Sequence, residues 1–103
     1  MSVLAKIRWL KPDEGGRVAP PPGPRYSTVA KFDSQTEAEW RKEAWSLVLH
    51  LEGPPDETWI QTAWVRFLAE GNAPAAWLQP RRGFELFEGP KKVAEGTVLE
   101  IGD

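Results

Sequence analysis

Residues 84–101 read Phe84-Glu85-Leu86-Phe87-Glu88-Gly89-Pro90-Lys91-Lys92-Val93-Ala94-Glu95-Gly96-Thr97-Val98-Leu99-Glu100-Ile101, and this stretch decides the fold. Two apolar-patterned runs meet in it at a tight turn, where Gly89 can adopt positive φ and Pro90 fixes φ at about −65°. Period-two alternation places Phe84 and Leu86 on one face of the first run. On the second run it predicts one shared face for Val93, Thr97, Leu99 and Ile101. Because a lone hairpin leaves one face in water, the remaining chain must supply further strands.

Composition indicates one small globular domain, residues 1–103, that is rich in turns. Of its 103 residues, 41% are hydrophobic and 27% are charged, with ten prolines and nine glycines. Short apolar runs between Pro and Gly residues favour an all-β sandwich or barrel. The formal net charge of −2 gives no overall basic field to attract nucleic acid, so RNA binding would need a local basic patch.

Cysteine usage and the N-terminal residues set the expected compartment. The absence of cysteine excludes disulfides, thiolate metal sites and cysteine nucleophiles, and it fits a reducing cytoplasm. The first residues lack a basic segment followed by an apolar stretch, and no apolar run approaches the ~20 residues of a membrane helix. We therefore expect a cytoplasmic protein without membrane contact.

Six runs carry strand patterns. They are residues 3–10, 27–32, 45–52, 58–68, 83–88 and 92–101. In the third run the only histidine, His50, alternates with the apolar face and is expected to point outward. In the fourth run, alternation alone does not show which face of the strand points to the core. We expect Ala63, Val65 and Phe67 to point inward.

Two connecting segments have distinct compositions. Residues 34–45 are mostly polar and predict a loop with at most a short helical turn, which Ser34 and Glu37 could start as a capping box. Residues 18–26 are dense in proline, which favours extended polyproline geometry. We interpret this second segment as a stiff surface loop that covers a barrel edge, and we prefer that to a docking site for an aromatic-groove partner.

The two ends of the chain carry a family resemblance. The motifs are Asp13-Glu14-Gly15-Gly16-Arg17, Pro20, Gly23-Pro24-Arg25-Tyr26, and the closing run with Glu88, Gly89, Lys91, Val93, Gly96 and Val98. Over residues 3–32 and 83–101 this pattern resembles the C-terminal β-barrel domain of elongation factor Tu. The resemblance implies a closed, six-stranded antiparallel β-barrel, here as a stand-alone domain, which would leave no exposed edge strand. Its expected structural glycines are Gly15, Gly16, Gly23, Gly89 and Gly96.

The resemblance also implies a binding role. In that family the barrel contacts the T-arm of aminoacyl-tRNA and partner proteins, partly through its Gly-rich turns. The matching positions here are Gly15, Gly16, Arg17, Glu88, Gly89 and Lys91. Several groups depart from the family pattern: Val18-Ala19 replaces a His-Thr pair, Pro24 a Tyr, Phe87 an Arg and Pro90 a Gly. The chain has no phosphate-binding loop, so we expect no GTPase domain in it beside the barrel.

Catalytic and metal chemistry have little support in the sequence. The chain has a single histidine, no cysteine and no nucleophile-elbow motif, so it offers no catalytic triad and no set of metal ligands. No two carboxylates are spaced in the sequence so as to suggest a general acid and base pair. We expect no enzymatic activity, no metal and no cofactor. A ligand in the barrel lumen is a third, weaker hypothesis, because six strands enclose little space.

Tryptophan and basic residues supply the candidate binding groups. Trp40, Trp59 and Trp77 sit at loops or strand starts and are expected to be partly exposed, with Trp77 and Leu78 tying their loop to the core. The candidate binding residues are Arg17, Arg25, Arg81, Arg82, Lys91, Lys92, Trp59 and Trp77. We predict a non-enzymatic module that binds a protein partner. The alternative is an RNA-binding, tRNA-contacting accessory domain, if the basic residues converge.

Overall fold

The computed structural model describes residues 1–102 as a closed barrel of six antiparallel strands. The strands are β1 (Val3–Trp9), β2 (Arg25–Phe32), β3 (Trp45–Glu52), β4 (Ile60–Phe67), β5 (Gly83–Glu88) and β6 (Lys91–Ile101). Their order around the barrel is β1-β4-β3-β2-β5-β6. The predicted all-β class and closed six-stranded barrel are confirmed. Asp103, the last residue of the predicted domain, lies outside the described residues.

The barrel interior is an apolar core built from alternate positions of the strands. Ala63, Val65 and Phe67 point inward, as predicted, and are 0%, 0% and 4% exposed. Trp9 is fully buried, and it is the largest side chain in this core. His50 is exposed on the outer face of β3, also as predicted. The alternation of side chains along a strand therefore identifies the side that faces the core on most strands.

The last strand departs from the predicted alternation because it contains two β-bulges. Leu86 pairs with Ala94 and Phe87 with Lys92, so Val93 is an extra residue in β6. A second register shift lies opposite Leu4 and Ala5 of β1, which pair with Glu100 and Val98, so Leu99 is also an extra residue in β6. An extra residue reverses the side on which every later residue points. The predicted shared face of Val93, Thr97, Leu99 and Ile101 is wrong: the inward set is Val93, Ala94, Gly96 and Val98.

The predicted structural glycines divide into two groups. Gly15, Gly23 and Gly89 have positive φ, and Gly89 forms a two-residue turn with Pro90. At Gly16 and Gly96 the constraint is space. A Cβ atom at Gly96 would lie 2.2 Å from the Phe84 ring, and one at Gly16 would lie 2.1 Å from the Leu10 carbonyl oxygen.

The polar segment after β2 contains a short helix, α1 (Glu37–Lys42). Its capping box joins Thr36 and Glu39, so the predicted box of Ser34 and Glu37 is wrong by two residues. The Trp40 indole N–H donates to the Ala30 carbonyl at 3.0 Å, which ties the helix to the barrel wall. The Ser34 hydroxyl instead bonds its neighbour Asp33.

Three strand starts also differ from the prediction, and β6 differs least, since it begins at Lys91 rather than at residue 92. β4 begins at Ile60 rather than at residue 58, because Trp59 adopts a φ of 64° that strand geometry excludes. β2 begins two residues earlier than predicted, at Arg25. In the loop after β4, a 3-10 helix (Ala75–Leu78) buries Leu78 in the core, and Trp77 packs 5.4 Å from the ring of Phe32. The predicted role of this pair as pegs is confirmed.

Candidate functional site

One end of the barrel, which we call the proline end, carries most of the ten prolines. Because neighbouring strands are antiparallel, β1, β3 and β5 finish at this end, whereas β2, β4 and β6 begin there. Three connections meet at it: residues 10–24, residues 53–59 and the Gly89–Pro90 turn. α1 and the Trp77 loop lie at the opposite end, which we call the helix end.

A groove opens at the proline end, with a volume of about 600 Å³. One wall is formed by residues 20–24 and the other by residues 53–55, while Leu51 and Gln61 line it between them. Leu51 and Gln61 share the inward parity of their strands, so the groove leads into the mouth of the barrel. The proline segment was expected to be a stiff surface loop that covers a barrel edge. It lies at the mouth of the barrel, where it forms one wall of the groove.

Gln61 holds the floor of the groove in place. Its side chain is 6% exposed, its Oε1 accepts from the Trp9 indole N–H at 2.7 Å, and its Nε2 donates to the Gly53 carbonyl at 2.9 Å. Buried amides are stable when both ends are paired, as here. Gln61 thus joins the core to the 53–55 wall. Sequence analysis missed this residue, although its position two before Ala63 on the inward face was a signal.

The five prolines of the groove walls have no backbone N–H to donate, whereas Gly23 and Gly53, which also line the groove, each have one. Proline has no backbone N–H, so Pro20, Pro21, Pro22, Pro54 and Pro55 contribute carbonyl oxygens only. Within residues 1–102, none of these five carbonyls accepts a hydrogen bond from the protein. The Pro24 carbonyl is different, because it accepts the Leu51 N–H at 2.7 Å and fastens the proline segment to β3.

Charged side chains of both signs lie near the groove: Arg25 is exposed directly after Pro24, and Lys11 stands over the Trp59 ring. Residues 18–24 carry no charged side chain, whereas residues 52–58 carry three carboxylates and no cation. Asp56 accepts bonds from Thr58 and from the Ile60 N–H, and these bonds hold the pKa of its carboxyl below its usual value. Glu52 accepts the Trp64 indole N–H at 3.0 Å. Glu57 is exposed and has no ion-pair partner among the described residues.

Arg17 anchors the proline segment to the β5–β6 hairpin. Its guanidinium forms an ion pair with Glu88 and donates to the Ala19 carbonyl at 2.9 Å. The Tyr26 hydroxyl donates to the same Glu88 carboxylate at 2.5 Å, and burial raises the pKa of Tyr26 well above its usual value. All three polar groups are therefore paired with one another. Arg17 and Glu88, candidates from opposite ends of the sequence, are brought together as a structural contact.

The structure does not bring the predicted basic residues into one patch. Arg81 and Arg82 precede β5 at the helix end, whereas Lys91 and Lys92 follow it at the proline end. The six residues of β5 between them span roughly 20 Å. Lys92 bridges Glu85 and Glu95 at 2.7 and 2.8 Å, and Arg82 lies 3.8 Å from Asp33. Within residues 1–102, Arg25, Arg81 and Lys91 are exposed without an ion pair.

The two candidate tryptophans lie at opposite ends of the barrel. Trp59 is half-buried at the proline end, where the Lys11 ammonium stands 5.7 Å from its ring. Trp77 is half-buried at the helix end. Trp40 is also half-buried, stacked on Phe87 with ring centroids 4.7 Å apart. Partial exposure is confirmed for all three, but they do not form a common binding surface.

Comparison of the chain with protein-family models, with curated proteins and with solved structures finds no match. Among residues 1–102, no helix has the length and apolar character needed to cross a bilayer. In the same part of the chain, no three His, Cys, Asp or Glu side chains are grouped so that they could hold a metal ion. The proline-end groove, at the mouth of the barrel, is the candidate site that the geometry supports.

Proposed function

We propose that this protein is a non-enzymatic binding module that holds an extended segment of a partner protein in the proline-end groove. The observation that carries the proposal is the groove itself, about 600 Å³ in volume and set between two proline walls at the barrel mouth. Ligand sites in proteins commonly enclose about 300–1,000 Å³. A cytoplasmic location is part of the proposal and rests on the cysteine-free sequence.

Rigidity of the walls supports a binding role. Proline fixes φ, so the walls lose little conformational freedom when a ligand enters. The Pro24–Leu51 bond and the Gln61 side chain fix both walls to the barrel. A preformed groove of this kind avoids the ordering cost that weakens binding by flexible loops.

The polar groups beside the groove support binding rather than catalysis. Arg17, Tyr26 and Glu88 are engaged with one another, and the raised pKa of Tyr26 keeps its hydroxyl protonated near neutral pH. Such a group is a poor base or nucleophile. The cluster is better suited to holding the proline segment in position.

The relation to the elongation factor Tu barrel stays a prediction, as does the RNA-binding alternative. RNA binding needs cations that are free to meet phosphates. Carboxylates at hydrogen-bonding distance occupy Arg17 and Lys92, which reduces the support for that alternative. The protein-binding proposal does not depend on these two side chains.

Selection from a random peptide library displayed on phage tests the proposal. Immobilised wild-type protein should enrich a family of sequences. Pro54→Trp, which places an indole in the groove, should abolish the enrichment. Pro80→Trp, at a proline of the helix end that is also exposed, is the matched control and should preserve it. Circular dichroism and thermal unfolding verify that both variants fold. Absence of enrichment, or enrichment that survives Pro54→Trp, would overturn the proposal.

A further inference from the structure

We infer that the outward-facing residues of β1 to β4, which we call the basic face, dock an acidic segment of a partner protein. The inference goes beyond the proposed groove function, because no residue of the basic face lines the groove. It follows from the charge of these four strands, from their lack of ion pairs and from the position of one tryptophan.

The strands of the barrel divide by charge. β1, β4, β3 and β2 are neighbours in the barrel and together contain five cations and one carboxylate. β5 and β6 complete the barrel with two cations and four carboxylates. One side of the barrel wall is therefore positive, although the whole chain has a net charge of −2. The charged residues of the basic face are Lys6, Arg8, Arg25, Lys31, Arg66 and Glu52.

Most cations of the basic face have no counter-ion. Within residues 1–102, Arg8 alone among the five forms ion pairs, with Glu14 and Glu95. Lys92 of β6, in contrast, bridges two carboxylates. The uncompensated charge of the other four cations attracts an anionic ligand.

The strand register brings three of these cations around Trp64. Arg25 pairs with His50, and His50 pairs with Trp64, so the three residues form a row across β2, β3 and β4. Arg66 is two residues further along β4, and Lys6 is on the adjacent strand β1. The Cα atoms of the three cations are therefore about 7–10 Å from that of Trp64.

Trp64 is held in one orientation. Its indole N–H donates to Glu52 at 3.0 Å, and the opposite edge of the ring contacts Gly102, where an added Cβ would lie 2.6 Å from Cζ3. The residue is half-buried, so part of it remains accessible. A positioned tryptophan is a favoured anchor in protein interfaces.

An acidic segment with an apolar side chain between its carboxylates complements this surface. The guanidinium groups of Arg25 and Arg66 can each bind a carboxylate through two hydrogen bonds. The apolar side chain of the ligand can then contact the Trp64 ring between them.

A nucleic acid, the other common polyanion, fits less well. Proteins that bind nucleic acid through its backbone commonly contact about 6–10 phosphates, which exceeds the number of unpaired cations on the basic face. Glu52 stands among these cations, and Glu100 of β6 lies opposite Leu4 at the border of the face. A peptide can place neutral residues beside these two carboxylates, whereas every nucleotide brings a phosphate.

The test is a titration of isotopically labelled protein followed by NMR. The probes are the peptide Ac-Glu-Glu-Phe-Glu-Glu-NH2 and two matched peptides with glutamine or lysine in place of every glutamate. We expect saturable shifts with the glutamate peptide at the amides of Arg25, His50 and Trp64 and at the Trp64 indole N–H. The glutamine peptide should bind at least fivefold more weakly, and the lysine peptide should cause no shifts.

Charge variants and salt complete the test. Arg25→Gln and Arg66→Gln should each weaken the glutamate peptide roughly two- to fivefold, the effect of one exposed ion pair. Arg81→Gln, at an exposed arginine that precedes β5, is the matched control and should have no effect. Binding should also weaken between about 50 and 500 mM salt. Circular dichroism verifies that the variants fold.

The outcomes separate this inference from the groove function. Equal binding of the three peptides, or glutamate-peptide binding that survives the combined Arg25→Gln and Arg66→Gln changes, would overturn it. Displacement of the glutamate peptide by tRNA would also overturn it and assign the basic face to nucleic acid. Pro54→Trp, which fills the groove, should leave binding of the glutamate peptide unchanged, so each proposal can fail without the other.

Discussion

Replacing Gly96 with alanine tests how tightly the hairpin is packed against the core. A Cβ atom at this position would lie 2.2 and 2.3 Å from two ring carbons of Phe84, whereas carbon atoms in contact are normally about 3.5–4.0 Å apart. The ring would have to move by more than about 1 Å. It has little room to do so, because it is 3% exposed and its centroid lies 6.3 Å from that of Phe32.

The expected loss combines two opposing effects. Overpacking a well-filled core costs about 1–3 kcal/mol, and the severity of this contact places Gly96→Ala near the upper end. Removing a strand glycine returns about 0.5–1 kcal/mol of backbone entropy. We therefore expect the free energy of unfolding to fall by about 2 kcal/mol. In a domain of this size, that loss lowers Tm by roughly 8–16 °C.

Urea unfolding followed by tryptophan fluorescence measures the effect, with Gly71→Ala as the control. Gly71 has no heavy atom within 4 Å of an added Cβ, so alanine there should cost no stability. Phe84→Leu makes room, and in combination with Gly96→Ala it should lose at least about 1 kcal/mol less than the sum of the two single losses. If Gly96→Ala matched Gly71→Ala, or if the two losses at positions 84 and 96 simply added, the packing argument would be refuted.

Four further predictions concern the charged outer face, the groove floor and RNA. Lys92→Met removes the cation that bridges Glu85 and the directly opposite Glu95, which keeps only its ion pair with Arg8, so it should lower the free energy of unfolding by about 0.5–1 kcal/mol, and less at high salt. Hydrogen bonds from Lys92 and Arg8 lower the pKa of Glu95 in the folded protein. The contribution of Glu95 to stability is therefore present above the ordinary glutamate pKa of about 4.3 and is lost as the pH falls through the lower pKa of the folded state. Glu95→Gln should reduce the change in the free energy of unfolding between about pH 5 and 2, measured by urea unfolding at each pH. Gln61→Leu leaves the Trp9 indole N–H unpaired and should lower the free energy of unfolding by about 1–3 kcal/mol. It also removes the bond to the Gly53 carbonyl, so amide hydrogens of residues 53–59 should exchange faster with solvent. Titration with tRNA should show no binding that weakens steeply with salt, and such binding would restore the RNA alternative.

Local patterns in the sequence were sufficient for much of the barrel. The inward face of β4 follows from alternation of Ala63, Val65 and Phe67, because the strand has no irregularity. The Gly89–Pro90 turn follows from the conformational limits of its own two residues. Features of this kind depend on neighbours within a few positions, so a single sequence contains the information.

Features that depend on the partner strand could not be predicted. Nothing in the composition of β6 marks Val93 or Leu99 as bulged, because a bulge is defined by the pairing with β5 or β1. The same limit explains the divided basic patch. Arg17 and Lys92 looked available for phosphate, and only the folded chain reveals the carboxylates that neutralise them.

The groove was missed for a similar reason. Its walls come from residues 20–24 and 53–55, which are separated by some thirty positions and meet only when β2 and β3 pair. Each wall, considered alone, is an ordinary proline-rich turn. The groove exists only where the two segments face each other.

The position of β1 in the barrel has a kinetic consequence. This strand pairs on one side with β4 and on the other with β6, so Val3 lies opposite both Val65 and Ile101. Both pairings close very long loops, and chains dominated by such contacts fold slowly, in milliseconds to seconds. Until β6 docks, β1 and β5 each present an unpaired edge on which another chain could pair. The native barrel, which has no open edge, is thus assembled through species with open edges, and a destabilising mutation in β6 would prolong their lifetime.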